Sequence, residues 1–171
     1  GGTVDELAGP AGWLRASATR SSIPGQTIDS GGTGGGRAHT VNVSTMAAIV
    51  IAGTGRTVVK HGNRAASSST GSADVLEALG LPLDLPIQRV VEIALELGIT
   101  FCFAQVFHTS MGHSASTRRQ LGLPSVFNFV GPLTNPAPPA GLPHGRPALR
   151  MAPLWAAVPR PRDQGGPVCR G

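Results

Sequence analysis

Apolar residues recur with helical spacing over several stretches of the chain. The clearest stretch is Ile87–Leu97, where they fall at i, i+3 and i+4, so an amphipathic helix ended by Gly98 is predicted. A mostly apolar stretch, Ser44–Ala52, predicts a buried helix that Asn42 or Ser44 can cap. Further helices are predicted at Thr3–Ala18, Ala73–Leu79 and Ser114–Leu121.

Short apolar runs between these helices predict the strands of a sheet. The runs are Thr57–Val59, Ile99–Ala104 and Ser125–Val130. Continuous apolar runs of this kind are typical of strands that are buried on both faces of a parallel sheet. Because strands and helices alternate, the predicted fold class is α/β, with a central sheet and helices on its faces.

The composition of the chain changes sharply near residue 137. Ten of the fifteen prolines lie from Pro132 onward, and they leave no uninterrupted window for a further strand and helix. The net charge is +5, of which residues 143–171 contribute +4 and residues 1–142 contribute +1. We therefore predict three regions: a first region at 1–27, an α/β core at 28–137, and a Pro/Arg/Gly-rich tail at 138–171 that is disordered or out of frame.

A glycine-rich segment, Gly31–Gly36, precedes the predicted helix that begins near Ser44. Glycines let backbone N–H groups approach an anion closely, and a helix N-terminus adds unpaired donors. The segment is not a P-loop, since no Gly-Lys-Ser/Thr follows, nor a dinucleotide fingerprint, since Arg37 stands where the third glycine should be. These residues leave both a phosphate-binding loop and a plain flexible loop open.

A second polar segment, Lys60–Ser68, contains the single lysine of the chain and is followed by Ser72. The segment follows a predicted strand, so it lies at the carboxyl edge of the sheet, where α/β folds bind ligands. Its cations, amide and hydroxyls are donors that suit phosphate groups. The alternative is a solvated loop that contains a histidine with ordinary hydrogen bonds.

Four motifs occur in an order and with a spacing that resemble one enzyme family. They are Asp29-x-x-Gly32-Thr33-Gly34-Gly35, Thr40–Thr45, Lys60–Ser68 and Phe127–Pro136. The chain resembles the anthranilate phosphoribosyltransferases in all four. Nucleoside phosphorylases share the fold that this resemblance implies, but they do not combine the last two motifs.

The resemblance implies transfer of the phosphoribosyl group of phosphoribosyl pyrophosphate to the amine of anthranilate, with release of pyrophosphate, in tryptophan biosynthesis. It also implies Mg²⁺ with Ser44 as a ligand, which suits the oxygen donors that this ion prefers. Anthranilate would contact Gly32, Asn63, His108 and Arg118. The residues implied to bind phosphoribosyl pyrophosphate are Gly32, Gly35, Gly36, Thr40, Asn42, Val43, Ser44, Thr45, Lys60, His61, Gly62, Asn63, Arg64, Ala65, Ala66, Ser67, Ser68 and Ser72.

Three features depart from the family's pattern. Gly36 and Arg37 stand where the family usually has Asp and Gly, which removes a carboxylate from the glycine loop. The Asp-Glu pair that holds a second magnesium in the family is absent after Pro136, where Asp163 is the one acidic residue. We also expect the chain to be truncated, with residues 1–27 a remnant of the family's N-terminal helical domain.

The expected location is the cytoplasm. No run of about 18 apolar residues is present, and Cys102 and Cys169 lack the spacing of a metal site or disulfide framework, so both are expected as free thiols. The resemblance implies a homodimer, and no membrane or nucleic-acid partner is expected.

Two alternatives remain besides an active enzyme. One is an inactive fragment of a disrupted gene of this family. The other, less favoured, is a non-catalytic nucleic-acid-binding relative. Such proteins concentrate basic residues on a folded face, often with aromatic residues, whereas residues 1–142 carry a net charge of only +1 and the chain has no tyrosine.

Overall fold

The computed structural model describes residues 9, 13–14, 16–19, 22–31, 41–65, 70–109 and 134–137. The predicted helix at Ser114–Leu121 and the predicted strand at Ser125–Val130 lie outside these residues. Of the described residues in the first predicted helix, 9, 13–14 and 16–17 are helical and 18 is not. The remaining elements are β1 (Thr27–Ile28), α1 (Val43–Gly53), β2 (Thr57–Gly62), α2 (Ser72–Ala78), α3 (Ile87–Leu97), β3 (Ile99–Phe103) and α4 (Ala104–Phe107).

The three strands form a parallel sheet in the order β1-β2-β3. Thr27 pairs with Thr57, and Val58 pairs with Ile99. Parallel neighbours need a crossover between them, which α1 supplies after β1 and α2 with α3 supply after β2. The predicted α/β fold class with a parallel sheet is therefore confirmed.

Local signals explain where two helices begin and end. The side chain of Asn42 accepts a hydrogen bond of 3.1 Å from the backbone N–H of Thr45, so Asn42 caps α1 as predicted. Gly98 ends α3 with a left-handed φ of 71°, and its N–H donates to the carbonyl of Ala94. Both ends follow from residues within one helical turn.

The prediction that α1 is a buried helix is wrong for one of its faces. Thr45 and Ala48 are buried, but Met46, Ile49 and Val50 are 55, 60 and 70% exposed. The physical reason is that a helix apolar on all sides buries only the face that meets the sheet.

Alternation along β3 divides the core into two clusters. Cys102 packs with Val59, Val90, Phe107 and Ala137, whereas Phe103 packs with Ala73 and Leu83. Successive side chains of a strand point to opposite faces, so helices cover both sides of the sheet. Within the described ranges, no helix is long and apolar enough to cross a bilayer.

Candidate active site

Lys60 is the central cation of the site. It lies near the carboxyl end of β2, and only 3% of its surface is exposed. Its Nζ donates hydrogen bonds to the carbonyl oxygen of Ser30 at 2.8 Å and to Oγ of Ser44 at 3.1 Å. The ammonium therefore joins the segment after β1 to the start of α1.

The side chains of Asn42, Lys60 and Ser72 surround Oγ of Ser44. It donates to Oδ1 of Asn42 at 3.1 Å and lies 3.4 Å from Oγ of Ser72. The hydroxyl of Ser30 donates to the carbonyl oxygen of Ser44 at 2.8 Å. Residues from three separate segments thus form a cluster of hydroxyl and amide groups, and the ammonium of Lys60 contacts this cluster through Oγ of Ser44.

A buried carboxylate, Asp29, follows β1 and connects it to β2 through hydrogen bonds. Its Oδ1 accepts a hydrogen bond of 3.1 Å from the backbone N–H of His61, and its Oδ2 accepts one of 2.8 Å from Nδ2 of Asn135. The same Nδ2 donates to the carbonyl oxygen of Val59 at 2.8 Å. Asn135 therefore links the residue after β1 to the middle of β2.

Burial shifts both charged groups of this network toward neutrality. Burial raises the pKa of the Asp29 carboxyl to about 6, although the hydrogen bond from Asn135 and the charge of Lys60 lower it. Burial lowers the pKa of the Lys60 ammonium to about 8, against the opposing influence of Asp29. Both groups are charged at neutral pH, and perturbed groups at a sheet edge mark a candidate functional site.

The segment after β2 turns back toward α2. Oδ1 of Asn63 accepts a hydrogen bond of 2.8 Å from the backbone N–H of Arg64. The guanidinium of Arg64 forms two hydrogen bonds with the carboxylate of Glu77 and lies 4.8 Å from the centre of the Phe103 ring. Arg64 thus packs along α2, while Lys60 faces the hydroxyl cluster.

Two buried histidines lie side by side next to the sheet edge. The rings of His61 and His108 are 5.2 Å apart in an edge-to-face arrangement, and Nε2 of His108 lies 2.9 Å from the carbonyl oxygen of Thr134. Burial lowers the pKa of His108, while the hydrogen bond with the backbone of Thr134 opposes the shift. His108 is therefore neutral at physiological pH.

The structure brings together part of the set of residues proposed from sequence. Asn42, Ser44, Lys60 and Ser72 meet in one cluster, and the backbone of Gly62 and Asn63 continues from it. The side chain of Val43 is 62% exposed. Outside the described residues lie Gly32, Gly35, Gly36, Thr40, Ala66, Ser67, Ser68 and Arg118.

The sequence alone does not identify the residues that hold the site's segments together by hydrogen bonds. Asp29 and Asn135 lie within the family motifs without an assigned role, and no motif singles out Ser30. Asp74 lies in the first turn of α2, where a negative charge is favourable, and the sequence indicates no other role for it. Since Asp29 and Asn135 are 106 positions apart, no local pattern could pair them.

The oxygen atoms of the cluster suit a magnesium ion whose other ligands are oxygen atoms of the substrate. Among the residues the structure describes, no group of three or more His, Cys, Asp or Glu side chains could hold a metal ion. Oγ of Ser44, with Asn42 and Ser72 beside it, offers neutral oxygen atoms instead. Mg²⁺ is commonly bound by few protein oxygens together with substrate phosphates, so these residues fit that mode.

Solved structures of two organisms share this fold. An anthranilate phosphoribosyltransferase from Thermus thermophilus superposes with a TM-score of 0.76 at 42% identity, covering 92% of this chain and 48% of that one. The enzyme of that name from Saccharomyces cerevisiae, in complex with PRPP and Mg, gives a TM-score of 0.81 at 32% identity, covering 91% of this chain and 44% of that one.

Sequence relatives carry the same enzyme name. Proteins named anthranilate phosphoribosyltransferase from Arthrobacter sp. (strain FB24) and Nocardioides sp. (strain ATCC BAA-499 / JS614) are 58% and 54% identical over 171 residues, which is 100% of this chain. The chain spans about half the length of these curated relatives, 49% and 50%. Residues 24–143 match the family described as "Glycosyl transferase family, a/b domain", and the chain belongs to this family.

Proposed function

We propose that this chain carries the phosphoribosyl-pyrophosphate half of an anthranilate phosphoribosyltransferase active site. The reaction joins the phosphoribosyl group to the amine of anthranilate and releases pyrophosphate. The observation that carries the proposal is the buried ammonium of Lys60 among the hydroxyls of Ser44 and Ser72 at the carboxyl edge of a parallel sheet. The names of the relatives and the PRPP and Mg complex of the yeast enzyme support it.

The chemistry requires binding and orientation more than covalent catalysis. An arylamine is a weak nucleophile, and pyrophosphate is a highly charged leaving group, so positioning and charge neutralisation lower the barrier. The ammonium of Lys60 would neutralise negative charge as it develops on pyrophosphate. The hydroxyls of Ser44 and Ser72 would hold phosphate oxygens, because hydroxyls can rotate to donate to an acceptor.

The remaining residues proposed for phosphoribosyl pyrophosphate extend this cluster along the chain. Val43 and Thr45 lie at the start of α1, and residues 61–65 directly follow Lys60, so both stretches stay in the proposed set as residues that line the site. Gly32, Gly35, Gly36, Thr40, Ala66, Ser67 and Ser68 stay proposed on the strength of the family motifs alone.

Ser44 would be the protein ligand of a magnesium ion. Bound there, the ion would offset the charge of pyrophosphate beside Lys60. Oγ of Ser44 accepts a hydrogen bond from Lys60, so the ammonium and an ion held by Ser44 would both supply positive charge on this side of the site. The structure of a yeast relative with Mg bound supports magnesium as the ion.

Anthranilate would lie beyond Asn63, near the pair of buried histidines. A neutral His108 can donate or accept a hydrogen bond without adding charge. Gly32 and Arg118 complete the proposed anthranilate set, in which a guanidinium suits a carboxylate. A yeast relative in complex with 4-fluoroanthranilate supports this class of ligand.

Pyrophosphate release tests the proposal. The chain is incubated with phosphoribosyl pyrophosphate, Mg²⁺ and anthranilate, and Lys60→Met is compared with Arg56→Met, which removes an exposed cation just before β2. We expect Lys60→Met to lower kcat/KM by about 100-fold or more, the scale of losing a charge-stabilising donor, and the control to leave it unchanged.

Two outcomes would contradict the proposal. The first is a wild-type chain that neither binds nor consumes phosphoribosyl pyrophosphate, and the second is an undiminished Lys60→Met variant. Binding without turnover would favour the alternative of an inactive fragment of a disrupted family gene. A cytoplasmic homodimer stays part of the proposal, and sedimentation of the purified chain would test its dimeric state.

A further inference from the structure

The carboxylate of Asp74 joins two segments of the site that are separated in the chain. Its Oδ2 accepts hydrogen bonds from the backbone N–H of Ala65 at 2.9 Å and from the backbone N–H of Gly71 at 2.7 Å. One oxygen atom thus holds the segment that leaves β2 against the segment that enters α2. The two amides are six positions apart in the sequence.

Backbone packing at the same point shows how closely the two segments approach. A Cβ atom at Gly71 would lie 2.6 Å from both the amide nitrogen of Ala65 and the carbonyl oxygen of Asn63, which is too close for any side chain. The N–H of Ala73 donates to the same carbonyl of Asn63 at 3.3 Å. Only glycine fits here, and the carboxylate holds the contact closed.

This contact holds the backbone on both sides of Ser72. Ser72 lies between Gly71 and Ala73, both of which contact the other segment, and its Oγ is 3.4 Å from Oγ of Ser44. A carboxylate beside an anion site would by itself repel the ligand. The two backbone N–H groups and the nearby guanidinium of Arg64 offset its charge.

We propose that Asp74 is a positioning residue for pyrophosphate binding, which acts by joining Ala65 and Gly71. The inference rests on the proposed function, since it assigns a purpose to the geometry of that site. Asp74 is also the third residue of α2, where a carboxylate commonly caps a helix. A capping role alone would change stability without changing the affinity of the folded protein.

The test combines two measurements on the full chain. Isothermal titration with pyrophosphate in the presence of Mg²⁺ gives the Kd, and hydrogen exchange followed by NMR gives the protection of the amides of Ala65 and Gly71. The variants are Asp74→Ala, which loses the acceptor, Asp74→Asn, whose Oδ1 can still accept, and Asp84→Asn as a control at an exposed aspartate.

We expect the Kd of Asp74→Ala to rise about tenfold, which corresponds to one charge-assisted hydrogen bond. Its Ala65 and Gly71 amides should exchange at least about tenfold faster, while Val59 in the core keeps its protection. Asp74→Asn should recover most of both properties, and Asp84→Asn should match the wild type.

Three results would separate the ways in which the inference can fail. Unchanged exchange at Ala65 and Gly71 in Asp74→Ala would overturn the contact itself. Faster exchange with an unchanged Kd would overturn the positioning role and leave helix capping. A wild-type chain that does not bind pyrophosphate would overturn the proposed function.

Discussion

Asn135→Ala removes the side chain that links Asp29, the residue after β1, to the middle of β2. Its amide makes three hydrogen bonds, to Oδ2 of Asp29, to the carbonyl of Val59 and from the N–H of Ala137. Asn135 is 8% exposed, so water cannot readily replace these bonds. A buried polar group left without a partner costs about 1–3 kcal/mol, so a loss of about 3 kcal/mol in the free energy of unfolding is expected.

The loss should depend on pH because one of the three partners titrates. Asp29 has a pKa of about 6 in the folded chain and 3.8 as its unperturbed value, and the bond from Asn135 lowers the folded value. Without Asn135 the folded pKa rises further. The charged carboxylate then costs more, so the variant should be destabilised more at pH 8 than at pH 5.

Urea unfolding followed by circular dichroism at both pH values measures the effect. Gln88→Ala serves as the control, because it removes an exposed amide from α3 and should change the free energy of unfolding by less than about 0.5 kcal/mol. Equal destabilisation at pH 5 and pH 8 would refute the role assigned to Asp29. A loss no larger than that of the control would refute the network as a whole.

Three further predictions concern other described residues. The free energy of unfolding should fall as pH rises from about 4 to 6, because the Asp29 carboxyl loses its proton at a higher pH in the folded state than in the unfolded state. It should rise again from about pH 8 to 10.5, because Lys60 binds its proton less tightly in the folded state. Urea titrations across this pH range would measure both changes. Gly98→Ala should cost about 1 kcal/mol by the same assay, since φ is 71° and nothing crowds the position. Burial raises the pKa of the Cys102 thiol, so mass spectrometry should find that peptide unmodified by iodoacetamide until urea unfolds the chain.

Local features of the fold could be predicted from sequence. The cap at Asn42, the amphipathic α3 with its end at Gly98, and the apolar run of β3 all depend on residues close together in the chain. Each is predictable from spacing, because the physical interaction spans one turn or one strand.

Features that depend on distant contacts could not be predicted. The exposed face of α1 depends on which elements cover it, and an apolar composition alone does not decide that. The meeting of Lys60 with Ser30 and Ser44 depends on how β1 and β2 align. The family motifs indicate which residues belong to the site. They do not indicate that Asp29 and Asp74 accept hydrogen bonds that connect its segments.

The hydrogen bond between Asp29 and Asn135 has a consequence for the order of folding. It closes a loop of more than a hundred residues, since its partners are 106 positions apart. Such long-range contacts form late, because the entropy of loop closure is lost before the contact stabilises the chain. During synthesis, a ribosome-bound chain could form β1, β2 and β3 early, yet the network behind Lys60 would stay incomplete until Asn135 had left the exit tunnel.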